Sequence, residues 1–326
     1  MNKPNIFNCA TQEMSQEAFM YWLLAWSDAE AFTINAELHN LSLKLLEAFL
    51  NKHGRKLPSR IEKIEISGGY RNIDIILVIN GAIVIPIPDK IYNRESPDQL
   101  LHYIQVLKDE GYSEQNILPI YLQTGARGNY EKLKRIGYST FSRKELLDIL
   151  NTGKDIKNDI LHDYLGHLEA LESATQSFMH LNLNQWHLYS WEGFYNCLQT
   201  ELGDGEWDAL SSLSKAFLGF WWHWDCDNDC EKYLQLEKSE LCFKIKVNDK
   251  KKRKELKLKW GDRFIQASVA SPIKVVRPTY QNDNAITVAV VDSDYRKTNK
   301  KGKIDLAKTL DVIMQAQKIF DKAINV

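Results

Sequence analysis

Two β-branched runs joined by Asn80-Gly81 constrain this chain most tightly. The first, at 73–79, reads IDIILVI, and the second, at 82–87, reads AIVIPI. Asn-Gly supplies the positive-φ residues of a tight hairpin, so the runs are expected to pair antiparallel as core strands. Pro86 and Pro88 each remove a ladder donor, which predicts an edge, a bulge or an early departure from the sheet. Asp74 lies between Ile73 and Ile75, and a carboxylate inside an apolar strand needs a partner or a cleft. The second run ends in Asp89 and Lys90. Hairpin pairing would bring these three ionic residues to one end of the sheet. Carboxylates suit a hard divalent cation, and a neighbouring lysine can hold water or offset developing charge, so the set suits phosphodiester cleavage. The same residues also suit a solvated sheet end. Glu65, one strand earlier, adds a carboxylate if it faces the same way.

The chain has 326 residues, a length that accommodates about two domains. Helical spacing is expected over 15–26, with Ser15 as N-cap, and over 35–52, where Leu38, Leu41, Leu45, Leu46 and Phe49 form the buried stripe. Strands follow at 61–67, 73–79 and 82–87, then a helix at 97–111, a strand at 117–123 and a helix at 139–151. That order defines one α/β/α domain over 1–153. Beyond Gly153 the spacing predicts a long helix over 155–183 and further helical material at 194–202 and 207–224. Strands are expected at 241–247, 255–260, 264–270, 273–276 and 285–291, and a closing helix at 304–323. This half, 154–326, reads as an α+β domain for accessory or substrate-recognition duty.

The formal net charge is −1, so any grip on nucleic acid must be local. The lysine-rich run at 244–259 serves either as such a patch or as a charged hairpin tip. Phe220, Trp221, Trp222, His223 and Trp224 read as a packed helix that could alternatively stack on bases. His223, Cys226 and Cys230 carry zinc-ligand chemistry, but the Cys-x3-Cys gap without a second pair favours ordinary cysteines in a helical turn. The five cysteines make no disulfide framework. No apolar stretch is long enough to span a bilayer, and the N-terminal residues lack an apolar signal core, so the expectation is a cytoplasmic protein without a membrane partner.

With these residues in place, 5–150 resembles the PD-(D/E)xK nuclease superfamily. The resemblance rests on Asp74, on Pro88-Asp89-Lys90 after the hairpin, and on Gln99-x3-Tyr103 as in the RecB-like branch. It implies an α/β restriction-endonuclease-like core, with DNA as substrate and Mg²⁺, replaceable by Mn²⁺, as cofactor. Asp74 and Asp89 would hold the metal and Lys90 would orient water. Glu17 on the first helix, with Glu13 as the second choice, would add an acid, and Gln99 with Tyr103 would position the phosphate. A role in phage defence or DNA repair follows from the resemblance alone. Pro88 stands where the family carries a metal-binding carboxylate. The chain is therefore expected to be either a nuclease in which the prolines bulge Asp89 inward, or a catalytically inactive nuclease-like module. The inactive module would bind nucleic acid, a protein partner or a second copy of the chain. Gln99 and Tyr103 share a helix face, which also fits a surface glutamine beside a packed tyrosine.

Overall fold

A computed structural model describes residues 4–10, 13–70, 73–90, 96–125, 131–210, 217–279 and 285–325. The chain divides into two units, Met1–Ser173 and Ala174–Val326.

The first unit is a mixed sheet with helices on both faces. Its elements are α1 (Glu13–Ala25), α2 (Ala31–Ile34), α3 (Ala36–Asn51), β1 (Ile64–Tyr70), β2 (Ile73–Ile79), β3 (Ile83–Ile87), β4 (Asp89–Lys90), α4 (Pro97–Asp109), β5 (Ile120–Gln123), α5 (Glu131–Arg135), β6 (Ser139–Ser142) and α6 (Arg143–Leu150). Helix α7 (Asp159–Gln176) runs across the division into the second unit. The hairpin forms as expected: β2 pairs antiparallel with β3, with Ile79 opposite Ile83 and Ile75 opposite Ile87. Strand β1 lies on the other side of β2, while β4, β5 and β6 form a parallel ladder.

The two prolines have a positional explanation. The carbonyls of Val84, Pro88 and Lys90 accept from the amides of Leu118, Leu122 and Thr124 at 2.9, 3.0 and 3.2 Å. Pro86 lies in phase with these residues, opposite Ile76. Backbone groups alternate sides along a strand, so both prolines remove donors only from the β5-facing side. The ladder to β2 keeps its own. The strand is therefore interior, joined to β2 on one side and to the 118–124 segment on the other.

Alternation divides the strand residues between two cores. Ile75, Leu77, Ile79, Ile85, Ile87, Ile120 and Leu122 pack with the apolar stripes of α1, α3, α6 and α7. Ile76, Val78, Val84 and Tyr121 pack on the opposite face with Leu100, Tyr103 and Leu107 of α4. Each fully buried Leu- or Ile-sized side chain is worth roughly 1.5–3 kcal/mol. Helix 139–151 is corrected at its start: 139–142 is strand β6, and Ser142 begins α6 through a reciprocal capping box with Glu145.

The second unit is built on one antiparallel six-stranded sheet. Its strands are β7 (Glu206–Leu210), β8 (Phe217–Cys226), β9 (Glu231–Glu237), β10 (Glu240–Lys246), β11 (Val275–Val276) and β12 (Ile286–Val291), in the order β11-β12-β10-β9-β8-β7. Helices α8 (Leu188–Leu202), α9 (Arg253–Ala267) and α10 (Leu306–Ile324) complete it. Two expectations fail here, and one strand was missed. Within the expected helix 207–224, the described residues 207–210 and 217–224 are strand, with Phe220 and Trp222 fully buried, and 211–216 lie outside the described residues. The 255–260 and 264–270 runs are one helix, because Leu256, Trp260, Phe264 and Ala267 recur at helical spacing and are its buried residues. Strand β9 was not anticipated; buried Lys232 and Gln235 interrupt its apolar run. Among the described residues, no helix is long and apolar enough to cross a membrane.

Candidate functional site

The end of the β2–β3 hairpin holds the ionic residues. Asp74 Oδ2 accepts from Lys90 Nζ at 2.7 Å and from the backbone amide of Asp89 at 2.8 Å. This ion pair is largely shielded, with the Lys90 and Asp74 side chains 9% and 15% exposed. The Asp89 amide points toward β2 because it follows Pro88 in the alternation, so the backbone itself orients the Asp74 carboxylate.

Glu17 approaches the same pair from α1. Its carboxyl is raised above the usual range, first by burial and then by the negative charge of Asp74, against which the Lys90 ammonium works. Two carboxylates that repel each other beside an ammonium form a place where added positive charge is favourable. Among the described residues, no group of three His, Cys, Asp or Glu side chains is disposed to hold a metal ion. The donor chemistry nonetheless fits Mg²⁺, which commonly uses one or two carboxylates and keeps several waters. Asp74 and Glu17 are the two that would hold it.

Asp89 is built differently. Its side chain is fully buried, and Oδ1 accepts from Gln16 Nε2. Gln16 Oε1 in turn accepts from Thr124 Oγ1 and, at 3.2 Å, from the Tyr164 hydroxyl. Burial pushes the Asp89 carboxyl well above the carboxylate range, outweighing the Gln16 bond, and the charges of Asp74 and Glu17 add to the rise. Asp89 Oδ2 has no hydrogen-bond partner among the described residues. The side chain lies inside a glutamine-centred network, where burial favours the protonated form over the charged one. No bulge carries it to Lys90: the two neighbours occupy opposite faces, as strand alternation requires.

Gln99 donates from Nε2 to the Tyr103 hydroxyl at 2.6 Å, and Tyr103 packs in the core on the α4 face of the sheet. That face carries Val84 and, in phase with it, Pro88 and Lys90. Glu65 is not brought in; it pairs with Lys63 and lies opposite Val78 in the register. His102 carries no resolved role. The zinc alternative also separates: His223 Nε2 bonds Asp321 Oδ1 at 2.7 Å, Cys226 is exposed and Cys230 is buried. Lys252 of the lysine run bonds Asp229, and the run spans the end of β10, the turn at Lys250–Lys252 and the start of α9 rather than a hairpin tip.

Sequence reasoning missed Gln16, Thr124 and Tyr164. Gln16 carried a usable signal, since it falls on the same helical stripe as Phe19, Met20 and Leu23. A polar residue on a buried stripe demands a partner. No family model, curated protein or solved structure matches the chain.

Proposed function

We propose that the first unit is a PD-(D/E)xK-type, restriction-endonuclease-like domain that cleaves DNA phosphodiester bonds with Mg²⁺. The observation that carries the reading is Lys90 on Asp74 at 2.7 Å, at the open end of a hairpin covered by the Glu17 helix. Asp74 and Glu17 would hold the cation, with Glu17 supplying the second carboxylate that Pro88 does not. A divalent cation at such a pair supplies charge neutralisation at the phosphate and a more acidic water. Lys90 orients the attacking water and counters charge on the phosphate oxygens. Gln99 and Tyr103 present an amide and a hydroxyl on the α4 side of the same face. A cytoplasmic site of action and a role in phage defence or DNA repair belong to the same reading.

The test is nicking of supercoiled plasmid with Mg²⁺ or Mn²⁺, repeated with Asp74→Ala and Glu17→Gln. Metal-dependent nicking lost in both variants supports the reading. An inert wild-type protein on duplex, single-stranded and RNA substrates rejects it.

A second reading is favoured by Pro88 and by the burial of Asp89 away from the Asp74–Lys90 pair. In it the domain keeps the fold but binds nucleic acid, a protein partner or a second copy without turnover. Salt-dependent DNA binding without cleavage would select that reading.

A further inference from the structure

The second unit contains a cavity of about 430 Å³ whose lining includes Trp186, Trp191, His187, Phe217, Lys238 and Arg296. We propose that it binds a nucleotide, with the base against the indole wall and the phosphate on Lys238 and Arg296. The inference rests on this cavity alone and is independent of the nuclease reading of the first unit.

The aromatic wall is organised by one cation. The Arg296 guanidinium lies 5.3 Å from the Trp186 ring centre and 4.8 Å from that of Trp191. The two indoles meet edge to face at 4.9 Å. Asp294 fixes the guanidinium by two bonds, from Nε at 3.0 Å and from Nη2 at 2.8 Å. Nη1 is thereby left without a bonded partner among the described residues. Arginine stacked on aromatic rings and held by a carboxylate keeps its remaining donors aimed in a fixed direction.

A second cation enters from the β9–β10 turn. Lys238 has φ +53, a left-handed conformation that a side-chain-bearing residue adopts at a cost. Its Nζ lies 4.9 Å from the Phe217 ring centre, and it has no acidic partner among the described residues. Trp186 Nε1 is buried and unbonded. No acidic side chain contributes to the lining.

The cavity thus offers flat apolar walls, hydrogen-bond donors and positive charge. A complementary ligand has a planar ring, acceptor atoms and an anionic group. A nucleotide combines all three at a size the volume accommodates. A free nucleotide and the terminal nucleotide of a single strand share this chemistry.

The experiment is calorimetric titration of the full chain with AMP, adenosine, inorganic phosphate and a 5′-phosphorylated oligothymidylate. Tryptophan fluorescence follows the same titrations. Saturable binding of AMP is expected, weakened about tenfold or more in Lys238→Glu and retained in Lys238→Arg. Lys238→Gly removes the cation while easing the positive φ, so it separates lost binding from lost folding, and it is expected to weaken AMP equally. Tighter binding of the oligonucleotide than of AMP assigns the cavity to a strand end, and binding of AMP alone assigns it to a free nucleotide. Adenosine or phosphate binding as tightly as AMP would overturn the proposal. So would Lys238 variants that bind AMP unchanged, or no saturation by AMP or oligonucleotide up to about 5 mM.

Discussion

Asp74 and Asp89 sit at one end of the same hairpin, and adjacent residues of α1, Glu17 and Gln16, serve them, yet their surroundings give them opposite chemistry. Asp74 receives an ammonium and a backbone amide, and the Glu17 carboxylate approaches the same pair from α1. Asp89, fully buried, receives the Gln16 amide inside a closed network, and burial raises its carboxyl well above the usual range. Placement, rather than residue type, decides which carboxyl meets an ammonium and which is buried against a glutamine. Lys90 and Asp89 are adjacent in sequence but are separated by the sheet.

The comparison breaks most visibly at Asp74. Asp74→Ala takes the carboxylate from a shielded lysine, and this is expected to cost about 3 kcal/mol in chemical denaturation. It should also lower nicking by at least about 100-fold. Gln16→Leu strikes the other face. Removing the hub that serves Asp89, Thr124 and Tyr164 should cost on the order of 2 kcal/mol while leaving metal affinity within about twofold. If metal affinity falls with stability, the two faces are not separate.

Pro88→Glu sharpens the comparison by adding a carboxylate to the Lys90 face. Mg²⁺ affinity should rise about tenfold by calorimetry, with a matching gain in nicking. The Leu122 amide keeps its acceptor, because the backbone carbonyl at 88 is unchanged by the substitution. Unchanged affinity would mean that position 88 does not face the cation. Tyr103→Phe removes only the hydroxyl bonded to Gln99 and should cost about 1 kcal/mol.

The fold of the first unit was readable where the pattern was local and strong. The Asn80-Gly81 turn, the stripe of α3 and the Pro97 start of α4 each follow from short-range chemistry. Asp74 beside Lys90 followed from hairpin pairing. Gln16 did not, because its partners come from β4, from beyond β5 and from α7, which no local spacing connects. Pro86 and Pro88 suggested an edge, a bulge or an early departure because a sequence does not say which side of a strand will carry a donor. In the second unit, aromatic crowding obscured the period. Phe220 to Trp224 looked helical by composition, but Phe220 and Trp222 alternate inward along a strand. The lysines of α9 likewise masked a helical stripe that Leu256, Trp260 and Phe264 display.

Asp89→Asn keeps the size of the side chain and removes its titration. The folded carboxyl lies above its unfolded range, so below about pH 4 both states carry the proton and Asp89 costs nothing. As pH rises from there, the unfolded chain releases the proton first and stability falls until the folded group also ionises. Urea midpoints compared at about pH 4 and about pH 8 should therefore drop more for wild type than for Asp89→Asn. Equal drops would show that Asp89 is not held neutral.

The central claim is that the cation-holding face is that of Asp74, Glu17 and Lys90, with Asp89 outside it. Mg²⁺ titration by calorimetry, read beside plasmid nicking, tests this directly on Asp89→Asn and Asp74→Asn. The account predicts that Asp89→Asn binds Mg²⁺ and nicks as wild type does, while Asp74→Asn does neither. Loss of binding in Asp89→Asn with retention in Asp74→Asn would contradict it.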